Sequence, residues 1–571
     1  MKYKKDINKY YVTTPIYYVN DKPHIGHAYT TIIADTLARS AKINNNDVFF
    51  LTGTDEHGKK VEQKALSLGI TPQELVDDLA PSFKTLSELM SCYPSYFIRT
   101  TNNKHKNFVQ KIWKEMEKSG KIYLGKYSGW YANSDECFYE DSEIIDGRAP
   151  TGAKVEWLEE ECYFFKLSEF KDDLLEFYKK NPDFIKPKER YNEVIKFVNN
   201  LRDLCISRSS CSWGINVPDT EKKHVIYVWL DALFNYISAL YIVFDDNEFN
   251  DDKPIDLDIL KEYFWPCNLH IIGKDILMFH AVYWPAFLMS LNITPPHQIL
   301  AHGWWTNEGQ KISKSIGNVI DPLEIIKTIP ADWLRYFMLR EVPLGLDGNY
   351  SELSLKTRIN ADLVNNIGNL IQRSISLIVK YFDGIIDNSS YDYDTSNKLE
   401  FSLKLEISKL NTDVHSLTMS YKIHEALEKI IMIGRMANIY IDRESPWNLK
   451  NDLLKMHKIL KILAEVIIVI GIAFQPFMPI YSLKILEIFG IKQNIFIIDK
   501  KFAINKQIEN NNFIFDEKKH DINYYNKKEH YNIINSLDLN NCILYENAES
   551  LIKDYNKIKL PKNFIFPRIN D

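Results

Sequence analysis

Cysteine is sparse: the chain has seven, at positions 92, 137, 162, 205, 211, 267 and 542, and no two have C-x-x-C spacing. The spacing excludes a zinc knuckle, and an odd, scattered set argues for free thiols in a reducing compartment rather than a disulfide framework. A secretory signal is also missing, because Met1-Lys2-Tyr3-Lys4-Lys5-Asp6 carries charge with no apolar stretch behind it, and no transit peptide is evident. Long hydrophobic runs are lacking too. The longest, Val466 to Phe474, is far short of the roughly 20 residues that span a bilayer, and reads as a buried helix. There is no excess of basic charge: 70 Lys and Arg face 76 Asp and Glu, for a net charge of −6. A nucleic-acid partner would therefore have to meet local basic patches on an acidic body. No internal repeat is apparent. The expectation is a soluble cytoplasmic protein with no membrane partner; its Asn- and Lys-rich composition suits a bacterial cytoplasm, a mitochondrion or a plastid.

What is present organises 571 residues into several domains. Tyr10 to Thr14 reads as a short strand. The polar loop Asn20-Asp21-Lys22-Pro23 follows, then a helical pattern from about Gly26 to Ala41. Val48 to Leu51 is a second buried strand, and Gly53 to Gly58 a polar loop. Thr71-Pro72 supplies an N-cap and a first-turn proline for a further helix. Strands alternating with helices imply a parallel sheet with ligands at the carboxyl ends of its strands. Residues 118–224 break the pattern with many Tyr, Trp, Glu and turn residues, and read as an α+β insertion. Val225 to Trp229 and Leu269 to Ile272 then look like buried strands again. From about Lys356 the periodicity is helical, with Leu363, Ile367, Leu370, Ile371, Ile375 and Ile378 on one stripe. The expected architecture is α/β: a Rossmann-type sheet in halves 1–117 and 225–320, split by the insertion, a linker at 321–355, and an all-α bundle over 356–571. A polar stretch at about 503–555 has little apolar periodicity.

Two short segments carry candidate chemistry. In His24-Ile25-Gly26-His27, a helix N-terminus offers backbone N–H groups to an anion, Gly26 lets a nucleotide approach the backbone, and two imidazoles can donate to phosphate oxygens. Taken alone, the tetrapeptide reads equally as two surface histidines beside a helix cap. In Lys311-Ile312-Ser313-Lys314-Ser315, a small polar loop holds two lysines that could stabilise charge on a leaving pyrophosphate. Taken alone, it reads as a solvated lysine loop.

The pair, in this order and after the first and last strands, resembles the class I aminoacyl-tRNA synthetases. Within that class, the segments Thr14 to Asn20, Gly53 to Gly58, Tyr227 to Ala232 and Ile272 to Ile276 resemble the methionine enzymes, as does Leu560-Pro561 with Phe566-Pro567-Arg568. The insertion is much shorter than the editing insertions of the valine, isoleucine and leucine enzymes. The resemblance implies ATP with Mg2+, L-methionine and tRNA(Met), initiator and elongator, as substrates. It assigns Asn20, His24, Gly26, His27, Gly273, Asp275 and Lys314 to ATP, with Asp275 on the ribose. His24, His27, Lys311 and Lys314 would stabilise the transition state. Asp55 would hold the methionine ammonium, and Tyr18, Trp229, Tyr236, Ile276 and His280 would line the thioether pocket, with His280 or the Tyr18 hydroxyl offering the sulfur a weak hydrogen bond. Aromatic edges suit a polarisable sulfur. One methylene is worth only about 1–3 kcal/mol, so homocysteine would enter and, as in the family, be cleared by cyclisation.

Steps of 100° turn Asn369 and Arg373 away from the apolar stripe, alongside Asp362, Asn365 and Asn366, and the resemblance places Asn369, Arg373 and Trp447 against the anticodon. Single-stranded bases are read by edge hydrogen bonds and aromatic stacking. Ser445-Pro446-Trp447 reads as N-cap, first-turn proline and exposed aromatic at the start of a helix. Two departures from the family pattern matter. The insertion lacks the Cys pairs that bind zinc in many relatives, so no zinc is expected. No dimerisation module follows the bundle, so a monomer is expected. The alternatives are another class I synthetase of the Val, Ile, Leu or Cys group, and an inactive tRNA-binding paralogue, against which the intact histidines and lysines argue.

Overall fold

The computed structural model describes residues 8–132, 137–139, 141–220, 224–244, 263–312, 318–386, 396–491 and 565–569. The stretch 503–555 and Lys314 lie outside these residues, and Lys311 is described by its backbone alone.

The chain opens with strands β1 (Lys9–Thr13) and β2 (Tyr17–Tyr18), the helix Ile25–Ile43, β3 (Asp47–Asp55), the helices Lys59–Leu68 and Pro72–Leu89, β4 (Tyr96–Arg99) and the helix Asn103–Lys118. Thr71 caps the Pro72 helix with a reciprocal Glu74 contact, as the Thr-Pro pair predicts. Next come β5 (Ile122–Ala132), β6 (Cys137–Tyr139), β7 (Val155–Phe165), β8 (Ile185–Lys186), β9 (Leu204–Cys205), β10 (Ser207–Arg208) and β11 (Val225–Ile226). The last strands are β12 (Leu269–Gly273), β13 (Ile299–His302), β14 (Trp305–Asn307), β15 (Gln310–Lys311) and β16 (Gly348–Tyr350).

The main sheet is wholly parallel. β3 takes β1 and β2 end to end on one side and β4 on the other. β1 then leads to β12, β13 and β8. The sheet thus joins strands from both sides of the insertion, with Val12 opposite Leu269 at the seam. The insertion builds its own antiparallel sheet, ordered β6-β5-β7-β9.

Two details differ from the sequence reading. The insertion is not self-contained, because Ile185 and Lys186 pair with Ile299 and Leu300 at the edge of the main sheet. And Val225 to Trp229 is not one strand: Val225–Ile226 pairs antiparallel with Ser207–Arg208, and Val228–Leu233 is helical. A short apolar run fits a buried helix as well as a buried strand, and periodicity cannot separate them.

After the last strand of the main sheet come, among others, the helices Ala331–Glu341, Glu352–Ile359, Asn369–Phe382, Lys398–Met419, Ile423–Glu444, Leu453–Ala473 and Pro479–Ile488. Val466 to Phe474 is the buried helical run expected of it. One apolar cluster runs from Val12, Ile32 and Leu269 under the sheet through Trp333 into Leu363, Leu370 and Ile467. The bundle therefore docks on one face of the sheet through the Ile25 helix, which is buried on nearly every side. The other face packs Tyr11, Phe49, Ile272 and Trp284. Among the described residues no helix is long and apolar enough to cross a membrane.

Candidate active site

A parallel sheet delivers its strand ends to one edge, and the candidate residues follow from that. Tyr18 pairs in register with Asp55, and Gly273 ends β12 beside His302 at the end of β13. Helix Ile25–Ile43 begins at the same edge. His24 caps it: its Nδ1 accepts from the Gly26 amide at 3.1 Å, and His27 Nδ1 accepts from the His24 amide at 3.0 Å. The two rings stack, with centroids 3.8 Å apart. Since each Nδ1 is an acceptor, a neutral ring carries its proton on Nε2, and each histidine is a donor there. A polar pair used in this way orients both imidazoles through their Nδ1 atoms.

The chain around the lysine loop comes to this same helix start. Ile320 accepts from the Ile25 amide at 3.0 Å, just after the undescribed residues 313–317. Before them, Lys311 pairs with Thr306 in a hairpin, and Asn307 reaches across to the Asn318 carbonyl at 3.1 Å. Thr30 on the helix meets His302 Nε2 at 2.7 Å. The far end of the lysine segment is thus tied to the histidine helix through Ile320, and its near end pairs with the strand that follows His302.

Tyr18 packs into the same apolar cluster as Trp229, Tyr236 and Ile276. Trp229 stacks flat on Phe279 at 3.8 Å, and Tyr236 lies 5.8 Å from His280. The hydrogen bonds fix the tautomer of His280. Its Nδ1 lies 3.0 Å from the Ile276 carbonyl, which only accepts, so Nδ1 carries the proton. Nε2 is then an acceptor, and the Tyr236 hydroxyl donates to it at 2.8 Å. Burial pushes the His280 pKa down to about 4, which keeps the ring neutral. This corrects the expectation that His280 donates to the methionine sulfur, because its one proton is already held by Ile276. His270 sits beneath Tyr236 at 4.1 Å between Thr13 and Trp284, and neither it nor Phe279 was singled out from sequence. Both lie beside quoted motifs, but nothing in residue type marked them out.

Around Asp275 the structure adds two residues the sequence reading left without a role. Trp304 Nε1 donates to Asp275 Oδ1 at 3.0 Å, and its ring lies 4.2 Å from Lys274 Nζ. Asp347 receives Lys274 Nζ on both oxygens at 2.7 Å and the Trp304 amide at 2.8 Å. Partial burial raises the Asp347 pKa, but these donors outweigh it and hold the carboxyl below its usual range. A Cβ at Gly273 would meet Asp275 Oδ1 at 2.5 Å, so a side chain there would push the Asp275 carboxylate aside.

Far along the bundle, Asn369, Arg373 and Trp447 come together. Arg373 donates to Asp442 at 2.6 Å and lies 5.1 Å over the Trp447 ring, and Asn369 reaches Asn438 at 3.2 Å. Two expectations need correction. Ser445 and Pro446 do hold the N-cap and first positions, but only of a short 3-10 turn, Pro446–Asn448, and without a side-chain cap bond; Ser445 also ends the Ile423 helix in a left-handed conformation (φ 45°), and Asp452 caps the long helix that follows. Asp362 and Asn366 do not share the solvated face with Asn369 but are buried. Asn360–Gly368 is wound as a π-helix, so steps of 100° lose phase there. Among the described residues no group of three or more His, Cys, Asp or Glu could hold a metal ion.

A split parallel sheet with a capped histidine pair at its first helix and a lysine hairpin returning to it defines a class I aminoacyl-tRNA synthetase. The family described as "tRNA synthetases class I (M)" matches residues 10–156 and 145–375. The chain is 50% identical over 489 residues to the methionine-tRNA ligase of Rickettsia felis, covering 85% of this chain and 93% of that one. It is 45% identical over 492 residues to that of Brucella suis, covering 85% and 92%. Mycobacterium tuberculosis methionyl-tRNA synthetase in complex with methionyl-adenylate superposes with a TM-score of 0.79 at 42% identity, covering 85% of this chain and 94% of that one. The chain belongs to the methionine-tRNA ligases.

Proposed function

We propose that this chain joins L-methionine to tRNA(Met), initiator and elongator, in two steps at the carboxyl edge of its sheet. The methionine carboxylate attacks the α-phosphorus of ATP, taken as its Mg2+ complex, and pyrophosphate leaves. A hydroxyl of the tRNA terminal adenosine then attacks the carbonyl of methionyl-adenylate, and AMP leaves. No protein nucleophile is needed, so the protein acts by positioning and by stabilising charge. His24 and His27 donate from Nε2 to the phosphates, with Asn20 and Gly26 beside them. Lys311 and Lys314 neutralise the leaving pyrophosphate as their loop closes. Gly273 and Asp275 hold the adenosine. Asp55 takes the ammonium, and Tyr18, Trp229, Tyr236, Ile276 and His280 enclose the thioether.

The observation that carries this reading is the Ile25–Ile320 hydrogen bond, which ties the end of the lysine segment to the histidine helix. Residues 1–117 and 225–320 are the catalytic halves, 118–224 a connective insertion that works without zinc, 321–355 the linker, and 356–571 the anticodon-reading bundle of a cytoplasmic monomer. The test is pyrophosphate exchange into ATP with each of the twenty amino acids. Methionine alone is expected to drive it; exchange driven by valine, or by no amino acid, overturns the reading. Lys314→Ala is expected to slow exchange by about 10²–10³-fold.

A further inference from the structure

Asp55 ends β3, and its two successors anchor their side chains in separate parts of the structure. Glu56 is fully buried and accepts Arg99 twice, at 2.6 and 3.0 Å, with Thr54 at 2.7 Å and Thr101 at 2.5 Å. Its carbonyl accepts Trp213 Nε1 at 2.6 Å, and the Gly58 amide donates to the Trp213 carbonyl at 3.0 Å. His57 Nδ1 donates to Asp231 Oδ2 at 2.7 Å. The other oxygen of Asp231 takes His105 Nε2 at 2.7 Å, and His105 Nδ1 meets Ser238 at 2.7 Å. Asp231 is 1% exposed, His57 3% and His105 0%. Burial alone would raise the Asp231 pKa, but the two imidazoles outweigh it and keep the carboxylate ionised.

A buried carboxylate is an expensive way to attach a loop to a helix, and packed apolar side chains do that as well or better. What the carboxylate adds is direction. Asp231 shares the helix Val228–Leu233 with Trp229, which forms the stack with Phe279. Its contact with His57 reaches a residue two positions from Asp55. The two ends of a methionine would therefore be held by one rigid assembly: the ammonium through Asp55 and the thioether through Trp229.

We propose that Asp231 is a positioning residue that sets the spacing between Asp55 and Trp229, and so fits the site to the length of methionine. The inference rests on the assignment of Asp55 to the ammonium. It touches no reacting atom, and acts through His57.

The test is a double-mutant cycle in the full-length chain, read by pyrophosphate exchange. Asp231→Asn is expected to raise the methionine KM about tenfold to hundredfold, the scale of a small misplacement, and to leave the ATP KM within about twofold. Combined with Asp55→Asn it is expected to add little, because both act on one contact. Direct binding supplies a second readout. L-methioninol keeps the ammonium and the thioether, and is expected to lose affinity in Asp231→Asn; 4-(methylthio)butanoate has no ammonium and is expected to lose little. Equal rises in both KM values, additive effects, or equal losses for the two analogues overturn the inference. If Asp55→Asn leaves the methionine KM unchanged, the Asp55 assignment fails and takes the inference with it. If Asp55→Asn raises that KM and Asp231→Asn does not, only the inference fails. Should Asp231→Asn not accumulate as folded protein, His57→Gln is read in the same way, since it keeps a donor for Asp231 on a flexible arm.

Discussion

Arg335 donates from Nη2 to Oδ2 of Asp35 at 2.7 Å, and both side chains are closed off from water. The same guanidinium donates to the carbonyls of Phe477 at 2.9 Å, Met90 at 3.0 Å and Pro476 at 3.1 Å. Asp35 also holds Arg39 at 2.7 Å. One side chain thus joins the histidine helix, the turn before β4 and the turn before the Pro479–Ile488 helix. Removing one partner of a buried pair leaves the other charge uncompensated, at about 3–5 kcal/mol. Arg335→Ala is expected to lower the thermal unfolding midpoint by several degrees. Arg335→Lys should recover only part of it, since an ammonium cannot reproduce the planar fork. An unchanged midpoint in Arg335→Ala would show that the junction does not hold the parts together.

Gly303 allows a second close approach. A Cβ there would meet the Leu346 carbonyl oxygen at 2.2 Å and the Asp347 amide at 2.7 Å, all backbone atoms that cannot swing aside. Gly303→Ala is expected to displace Asp347 and, with it, Lys274 and Trp304 beside Asp275. The ATP KM should rise about tenfold or more, and the methionine KM should move little. Steady-state exchange with each substrate varied in turn measures both; a rise confined to methionine would mean that this loop does not serve the nucleotide.

The parallel sheet, the histidine helix and the buried Val466 run were legible because hydrophobic period, caps and β-branched runs are local signals. Asp55, Trp229, Asp275 and Arg373 stood out because they sit inside recognisable segments. Arg99, His105, Trp213 and Asp347 did not, because their importance lies in partners far along the chain: Glu56 for Arg99 and Trp213, Asp231 for His105, Lys274 for Asp347. The phase error at Asn366 has a different source. No residue type announces a π-helical turn, so a face drawn with α-helical steps is wrong beyond it.

His280 makes stability depend on acid. Its folded pKa of about 4 lies below the ordinary value of 6.5, so between those values the unfolded chain binds a proton that the native ring refuses. Stability should therefore be unaffected by this group above pH 6.5 and fall as pH drops from 6.5 toward 4, by about 3 kcal/mol at most. Asp332 works against it, because burial raises its pKa to about 6 and the folded state takes up a proton there first. His280→Gln can keep both hydrogen bonds and removes the titration. Its unfolding midpoint is expected to rise relative to that of wild type as pH drops from 6.5 to 4, because the Asp332 effect is then unopposed. Coincident curves would mean that His280 titrates normally.

Trp447 is 36% exposed, with the Arg373 guanidinium 5.1 Å above its ring. Asp442 holds Arg373 from the neighbouring helix at 2.6 Å, so the cation is presented over the aromatic face rather than left to swing. Stacking of a base on an aromatic ring contributes about 1–3 kcal/mol. Trp447→Ala is therefore expected to reduce aminoacylation of tRNA(Met) by about tenfold to hundredfold and to leave pyrophosphate exchange intact, because no tRNA takes part in it. Asp442→Ala tests the orientation separately. It leaves both Arg373 and Trp447 in place, so charging should fall less than in Trp447→Ala, and the loss should appear in the KM for tRNA. Equal loss of exchange and charging in Trp447→Ala would make the ring a packing residue of the bundle instead.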